Sequence, residues 1–107
     1  MRKSEKNNTP KPYYGLKDIK DKIRRKEYVV PWPVHQSAWK DFRWKVEDIE
    51  KVYLRLSPFS FDITIENKNN RKLMDVYKIR NFEGENIYTK FYVHDSGKLI
   101  ITSLKKL

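Results

Sequence analysis

"FSFDITIENKNNRKLMDVYKIRNFEGENIYTKFYVHDSGKLIITSLK", residues 59–105, is the stretch that decides the fold. Its apolar side chains recur at every second residue, the period of a strand with one buried face. Phe61, Ile63 and Ile65 mark one face of a first strand, "FSFDITIE". "KLMDVYKIR" reads as a second strand, "NIYTKFYV" as a third and "KLIITSLK" as a fourth. The connectors "NKNN", "FEGE" and "HDSG" are rich in residues that favour turns. Four strands joined this way predict an antiparallel meander.

The third strand, Asn86 to Val93, alternates cleanly. Ile87, Thr89, Phe91 and Val93 point one way; Tyr88, Lys90 and Tyr92 point the other. If Val93 and Lys98 flank the last turn, Phe91 lies opposite Ile100, Thr89 opposite Thr102 and Ile87 opposite Leu104, all toward the core. The other face then pairs Tyr92 with Leu99, Lys90 with Ile101 and Tyr88 with Ser103, with Lys105 diagonal to Tyr88. A slip of one residue would drive lysines into the core, which pins the register. With Leu73, Tyr77 and Ile79 core-facing, the second strand adds Met74, Val76, Lys78 and Arg80 to the open face. Asp75 then points inward and needs a partner.

Upstream the period is helical. "GLKDIKDKIRRKEY" spaces Leu16, Ile19 and Ile23 along one face of an otherwise basic helix. "VVPWPV" is expected to be extended, because Pro31 and Pro33 resist helix interiors. "HQSAWKDF" is expected to form a short helix. "KVEDIEKVYLRL" is the stronger helix, with Val46, Ile49, Tyr53 and Leu56 on one face. Glu47 and Asp48 lie in its first turn and Lys51 and Arg55 later, matching the macrodipole. Helices followed by a meander predict an α+β fold, with two or three N-terminal helices on one face of a mainly antiparallel sheet. Residues 1–12 read as a basic, flexible tail and residues 13–107 as a single domain.

Composition narrows the function. The 107 residues carry 24 Lys and Arg against 14 Asp and Glu, a net charge of +10, yet 38% are hydrophobic, enough for a core. An excess of this size attracts polyanions: nucleic acid, an anionic membrane surface or an acidic protein. With no cysteine and two histidines, disulfides, thiolate zinc sites and cysteine nucleophiles are excluded. No apolar run reaches the roughly 20 residues of a spanning helix, and the N-terminus lacks an apolar signal core, so a cytoplasmic location without a cofactor is expected.

The open face would carry Lys78, Arg80, Tyr88, Lys90, Tyr92 and Lys105. Cations hold phosphates and aromatic rings stack on unpaired bases, so this pattern suits single-stranded RNA. It equally describes a solvated face of long amphipathic side chains. His94-Asp95 invites an acid–base reading, but Asp-Ser-Gly beside them favours a plain hairpin turn. Trp32 and Trp39 read as core or as a protein contact, and His35 as a helix-start or packing residue.

"MDVYKIRNFEGENIYTKFYV" followed by "LIITSLKKL" resembles the C-terminal half of the MqsR family of type II toxins. The family's D-V-Y strand, Y-x-K strand and terminal S-F-K correspond to Asp75-Val76-Tyr77, Tyr88-Thr89-Lys90 and Ser103-Leu104-Lys105. "KPYYGLKDIKDKI" and "VEDIEKVYLRLSPFSF" are similar to the family's first helix and to its second main helix with the strand after it. The resemblance implies a RelE-like metal-independent messenger-RNA endoribonuclease that arrests translation and growth and is silenced by a cognate antitoxin. It implies catalytic roles for Tyr88 and Lys105; the open-face pattern adds Lys78, Arg80, Lys90 and Tyr92 as expected RNA contacts. Two positions depart: no basic residue occurs between Leu56 and Asn67, where the family's first strand has a lysine and Ile63 lies here, and Met74 replaces a glutamine before D-V-Y. RNA binding without cleavage and binding of an acidic protein are the competing expectations.

Overall fold

The computed structural model describes residues 11–107; the expected tail falls almost wholly outside them. The fold is α+β: three helices pack on a five-stranded mixed sheet. Helix α1 spans Leu16–Arg24, strand β1 Tyr28–Val29, α2 Trp32–Phe42 and α3 Val46–Leu54. A 3-10 turn, Pro58–Ser60, leads into β2 Phe61–Glu66, β3 Leu73–Phe82, β4 Glu85–Val93 and β5 Leu99–Lys106. The expected meander is present, and β1 extends it by pairing parallel to β5, giving the order β1-β5-β4-β3-β2. Two residues of strand are too short to leave a sequence pattern.

The helical periodicities place the core as expected. Ile19 and Ile23 of α1, and Ile49, Val52 and Tyr53 of α3 with Leu56 beyond it, are buried against Tyr77, Ile87, Phe91 and Leu104. Tyr77 stacks on Phe91 with ring centroids 5.8 Å apart, and Tyr53 meets Phe91 edge-on at 5.6 Å. The expectation for "VVPWPV" is corrected, since α2 begins at Trp32 with Pro33 in its first turn. An N–H there has no partner within the helix, so proline removes nothing. Val34 and Ala38 give α2 its buried side.

Two bulges correct the predicted faces. In β2 the register shifts between Phe61 and Ile63. Phe61 therefore packs on the core, while Ile63 pairs with Val76 and Ile65 with Met74 on the open face. In β5 Lys90 pairs with Ser103 and Phe91 with Ile101, so Thr102 has no partner in the ladder. Its hydroxyl lies 3.2 Å from the Lys90 carbonyl oxygen. The bulge buries Leu99, Ile101 and Leu104 together. Ile100 and Thr102, expected in the core, are not. Leu73, also expected inward, is exposed at the sheet margin.

Asp75 is fully buried and has the partners its position demands. Its carboxylate accepts from the Thr64 hydroxyl at 2.6 Å and from the backbone N–H groups of Tyr13 and Tyr14 at 3.0 and 2.8 Å. Three donors offset the desolvation of a buried carboxylate and tie the segment before α1 to the sheet. The β3–β4 turn puts Glu83 and Gly84 at φ of 50° and 82°, both in the left-handed region that a tight two-residue hairpin loop requires.

Candidate functional site

The open face of the sheet is built by β3, β4 and β5. Tyr88 lies directly opposite Lys105 on one side and Lys78 on the other. Lys90 lies between Val76 and Ser103, and Tyr92 opposite Ile100. The Lys105 ammonium sits 5.3 Å from the centre of the Tyr88 ring, within cation–π range. The pair is therefore closer than the predicted diagonal.

The β5 bulge produces this arrangement. The hairpin starts with Val93 opposite Leu99, and without an extra residue Leu104 would face Tyr88. Lys105 would then take the place opposite Ile87 that Lys106 holds, away from the Tyr88 ring. Thr102 absorbs one residue and restores the lysine to the open face, a use of bulges that recurs beside functional sites.

The predicted contact residues divide. Tyr88, Lys90 and Tyr92 are half-buried in the sheet surface, while Arg80 and Lys105 are exposed. Lys90, Arg80 and Lys105 make no ion pair with another described residue. Lys78 does: its ammonium is 3.3 Å from the carboxylate of Asp62, the residue displaced by the β2 bulge. The sequence reading missed this acid because perfect alternation in "FDITIE" hides the bulge.

The half of the face toward β2 is apolar. Met74 and Val76 lie on the open face as predicted but are buried, and Ile63 is 52% exposed beside them. Met74 is held within 3.6 and 3.7 Å of the Thr102 hydroxyl and the Asn67 amide.

Behind Tyr88, on the core side, runs a buried hydrogen-bond chain. The Thr89 hydroxyl donates to the Ser103 carbonyl at 2.7 Å. Its one proton is thereby used, so the Tyr53 hydroxyl, 2.6 Å away, is the donor to Thr89. The chain ties α3 to β4 and β5 at the level of Tyr88 and Lys90.

His94 and Asp95 are turn residues. His94 Nδ1 accepts from the Ser96 N–H at 3.0 Å within the hairpin loop, and Asp95 pairs with Lys72 across to the β2–β3 loop. Lys72 beside it holds the Asp95 carboxyl below the usual carboxylate range. No described group of three His, Asp or Glu side chains converges on a possible metal position.

A second feature lies on the helical side. Trp32 and Trp39 are 69% and 49% exposed, not core as one expectation had it. With Trp44 they line an open groove of about 730 Å³ between α2 and the start of α3. Single-sequence periodicity gives no access to it, because the groove exists only once α2 and α3 pack.

No protein-family model matches the chain, and no curated protein matches it.

Proposed function

We propose that the protein is a metal-independent endoribonuclease of the toxin–antitoxin kind, acting on single-stranded messenger RNA in the cytoplasm and silenced by an antitoxin protein. The observation that carries this reading is the Tyr88–Lys105 pair, set on a face whose other cations, Lys90 and Arg80, are free of described acids. The likeness of the D-V-Y, Y-x-K and S-L-K segments to MqsR toxins supports it. No helix among the described residues is long and apolar enough to cross a membrane.

Cleavage without a metal uses the substrate's own 2′-hydroxyl. That oxygen attacks the adjacent phosphorus, its proton leaves to solvent, and the 5′-oxygen departs, giving a 2′,3′-cyclic phosphate and a new 5′-hydroxyl end. In this scheme the Lys105 ammonium stabilises charge on the pentacoordinate phosphorus, and the Tyr88 hydroxyl protonates the leaving 5′-oxygen. Lys90 and Arg80 hold flanking phosphates, and Tyr92 offers a ring to a base. Lys78 must exchange Asp62 for phosphate to join them.

The test is single-turnover cleavage of a single-stranded RNA in EDTA by wild type, Tyr88→Phe and Lys105→Ala. Each substitution should lower the rate about a hundredfold or more. The double variant should lose less than the product, because both groups act on one transition state. Melting should stay within about 0.5 kcal/mol of wild type, as for surface changes generally. Folded variants with full activity, or cleavage that needs added divalent ions, would refute the scheme. A second reading, RNA binding without cleavage, is favoured by the apolar Ile63 and Met74 side of the face; it expects tight binding and an uncut strand.

A further inference from the structure

All three tryptophans of the chain, Trp32, Trp39 and Trp44, line the one groove between α2 and α3. Exposed tryptophan is costly in apolar area left in water, and here two such rings stand seven residues apart on one helix. Trp44 is held in place: it stacks on Phe42 at 4.2 Å and meets Phe82 edge-on at 5.8 Å. The groove therefore has one fixed aromatic wall and two more exposed rings.

Its rim is cationic. Lys40 and Lys45 line it, and the Arg43 guanidinium lies 5.6 Å from the centre of the Trp39 ring. None of these three cations forms an ion pair with another described residue. Glu47 is the acid in the lining. It lies at the start of α3, so the α2 side of the groove, with Lys40 and Arg43, is the side open to phosphate.

The Asp41 carboxylate, on α2 between Lys40 and Arg43, accepts from the Lys106 backbone N–H at 2.8 Å. The residue before Lys106 is Lys105, opposite Tyr88. Helix geometry then puts the two features on different sides of α2: Asp41 shares the side of buried Val34 and Ala38 and meets the end of β5, while Trp32 and Trp39 lie on the opposite side.

We infer that the groove is a second RNA subsite, in which an unpaired base of a single strand stacks among Trp39, Trp32 and Trp44 while its phosphates run along Lys40 and Arg43. Aromatic rings with flanking cations are what sequence-tolerant binding of single strands requires. The inference rests on reading the open face as an RNA surface, and it extends the footprint to the helical side.

The three tryptophans make the groove its own reporter. A single-stranded 12-nucleotide RNA with every 2′-hydroxyl methylated cannot be cut through those oxygens, so binding can be read without turnover. Titrating it into the wild-type protein should quench tryptophan fluorescence saturably. Trp39→Ala should weaken binding about ten- to hundredfold with an unchanged salt slope, Trp39→Phe should recover most of the loss, and Lys40→Ala should lower the slope by about one. Trp32→Ala, at the most exposed of the three rings, serves as a second variant whose fold is not at stake.

Binding without a fluorescence change, together with an unaltered affinity in Trp39→Ala, would overturn the inference. Quenching by a polyglutamate peptide but not by the oligonucleotide would overturn it too, and assign the groove to an acidic protein. The two readings fail separately. Saturable quenching by a strand whose unmodified form is never cleaved would sink the nuclease reading alone. Cleavage at full rate and affinity in Trp39→Ala would sink the groove alone.

Discussion

Replacing Tyr53 by phenylalanine removes one oxygen from the interior and tests the frame behind the proposed site. The Tyr53 hydroxyl donates to Thr89, which donates in turn to the Ser103 carbonyl. In Tyr53→Phe the ring keeps its packing, and Thr89 keeps its own donor bond, so the loss is one internal hydrogen bond, about 1 kcal/mol. Thr89→Val is harsher. It keeps the shape but strands the Tyr53 hydroxyl in a fully buried position and takes a donor from Ser103, which costs about 2 kcal/mol. The double variant has no stranded phenol, so its loss should fall short of the sum by about 1 kcal/mol. For a domain of this size 1 kcal/mol is a shift of about 4 °C or more in melting temperature. Urea unfolding of the four proteins, with a common m value, measures all three terms. Additive losses, or a Thr89→Val protein as stable as wild type, would show that the chain does not join α3 to the sheet.

Tyr77→Phe should behave in the opposite way: the Tyr77 hydroxyl is buried with no hydrogen-bond partner among the described residues, so its removal should leave stability unchanged or raise it by up to about 1 kcal/mol, and a clear destabilisation in urea would refute this. The Glu50 carboxyl is held below its ordinary value of 4.5 by the Lys26 ammonium first and the Tyr28 hydroxyl second. Its contribution to stability is therefore complete above about pH 4.5 and lost as pH falls through the lower folded value. Glu50→Gln should be less stable than wild type at pH 7 and lose part of the acid limb, and parallel pH–stability curves would refute the assignment. For RNA binding, Lys90→Ala should lower the slope of log affinity against log salt by about one, whereas Lys78→Ala should lower it by less, because Asp62 already neutralises that lysine. Equal slopes for the two variants would show that the Asp62 pair has no hold on Lys78 in solution.

What the sequence disclosed, and what it hid, follows from how far each signal reaches. Alternation in "NIYTKFYV" is local, and both faces of β4 were readable from it because Ile87, Thr89 and Phe91 differ so plainly from Tyr88, Lys90 and Tyr92. The demand that Asp75 find donors was readable too, though not that Tyr13 and Tyr14 would supply them from 61 and 62 residues away. "LIITSL" was not readable. Leu99, Ile100 and Ile101 are apolar in succession, so period two cannot say which of them is buried, and only packing beneath the helices chooses Leu99, Ile101 and Leu104. In "FDITIE" the alternation is flawless and misleading, since the bulge at Asp62 sends Phe61 to one face and Ile63 to the other. Pro33 misled for a different reason: a residue that ends helices from inside is harmless in a first turn, and the fold supplied the helix start that the dipeptides concealed.

The same bulges that defeated the register reading define the candidate site. A regular β5 beginning at the observed hairpin would turn Leu104 to the open face opposite Tyr88 and move Lys105 to the place opposite Ile87 that Lys106 now holds. With the hairpin set at Val93 and Leu99, the extra residue at Thr102 is what keeps Leu104 in the core and Lys105 on the open face. The lysine opposite Tyr88 is thus a consequence of hydrophobic packing at Leu99, Ile101 and Leu104. Deleting Thr102 should expose Leu104, separate Lys105 from Tyr88 and destabilise the domain by about 2 kcal/mol or more, whereas Thr102→Ser, which keeps the extra residue and the hydroxyl, should leave both the fold and the Tyr88–Lys105 pair in place. A stable Thr102-deleted protein with Lys105 still beside Tyr88 would refute the dependence of the pair on the bulge.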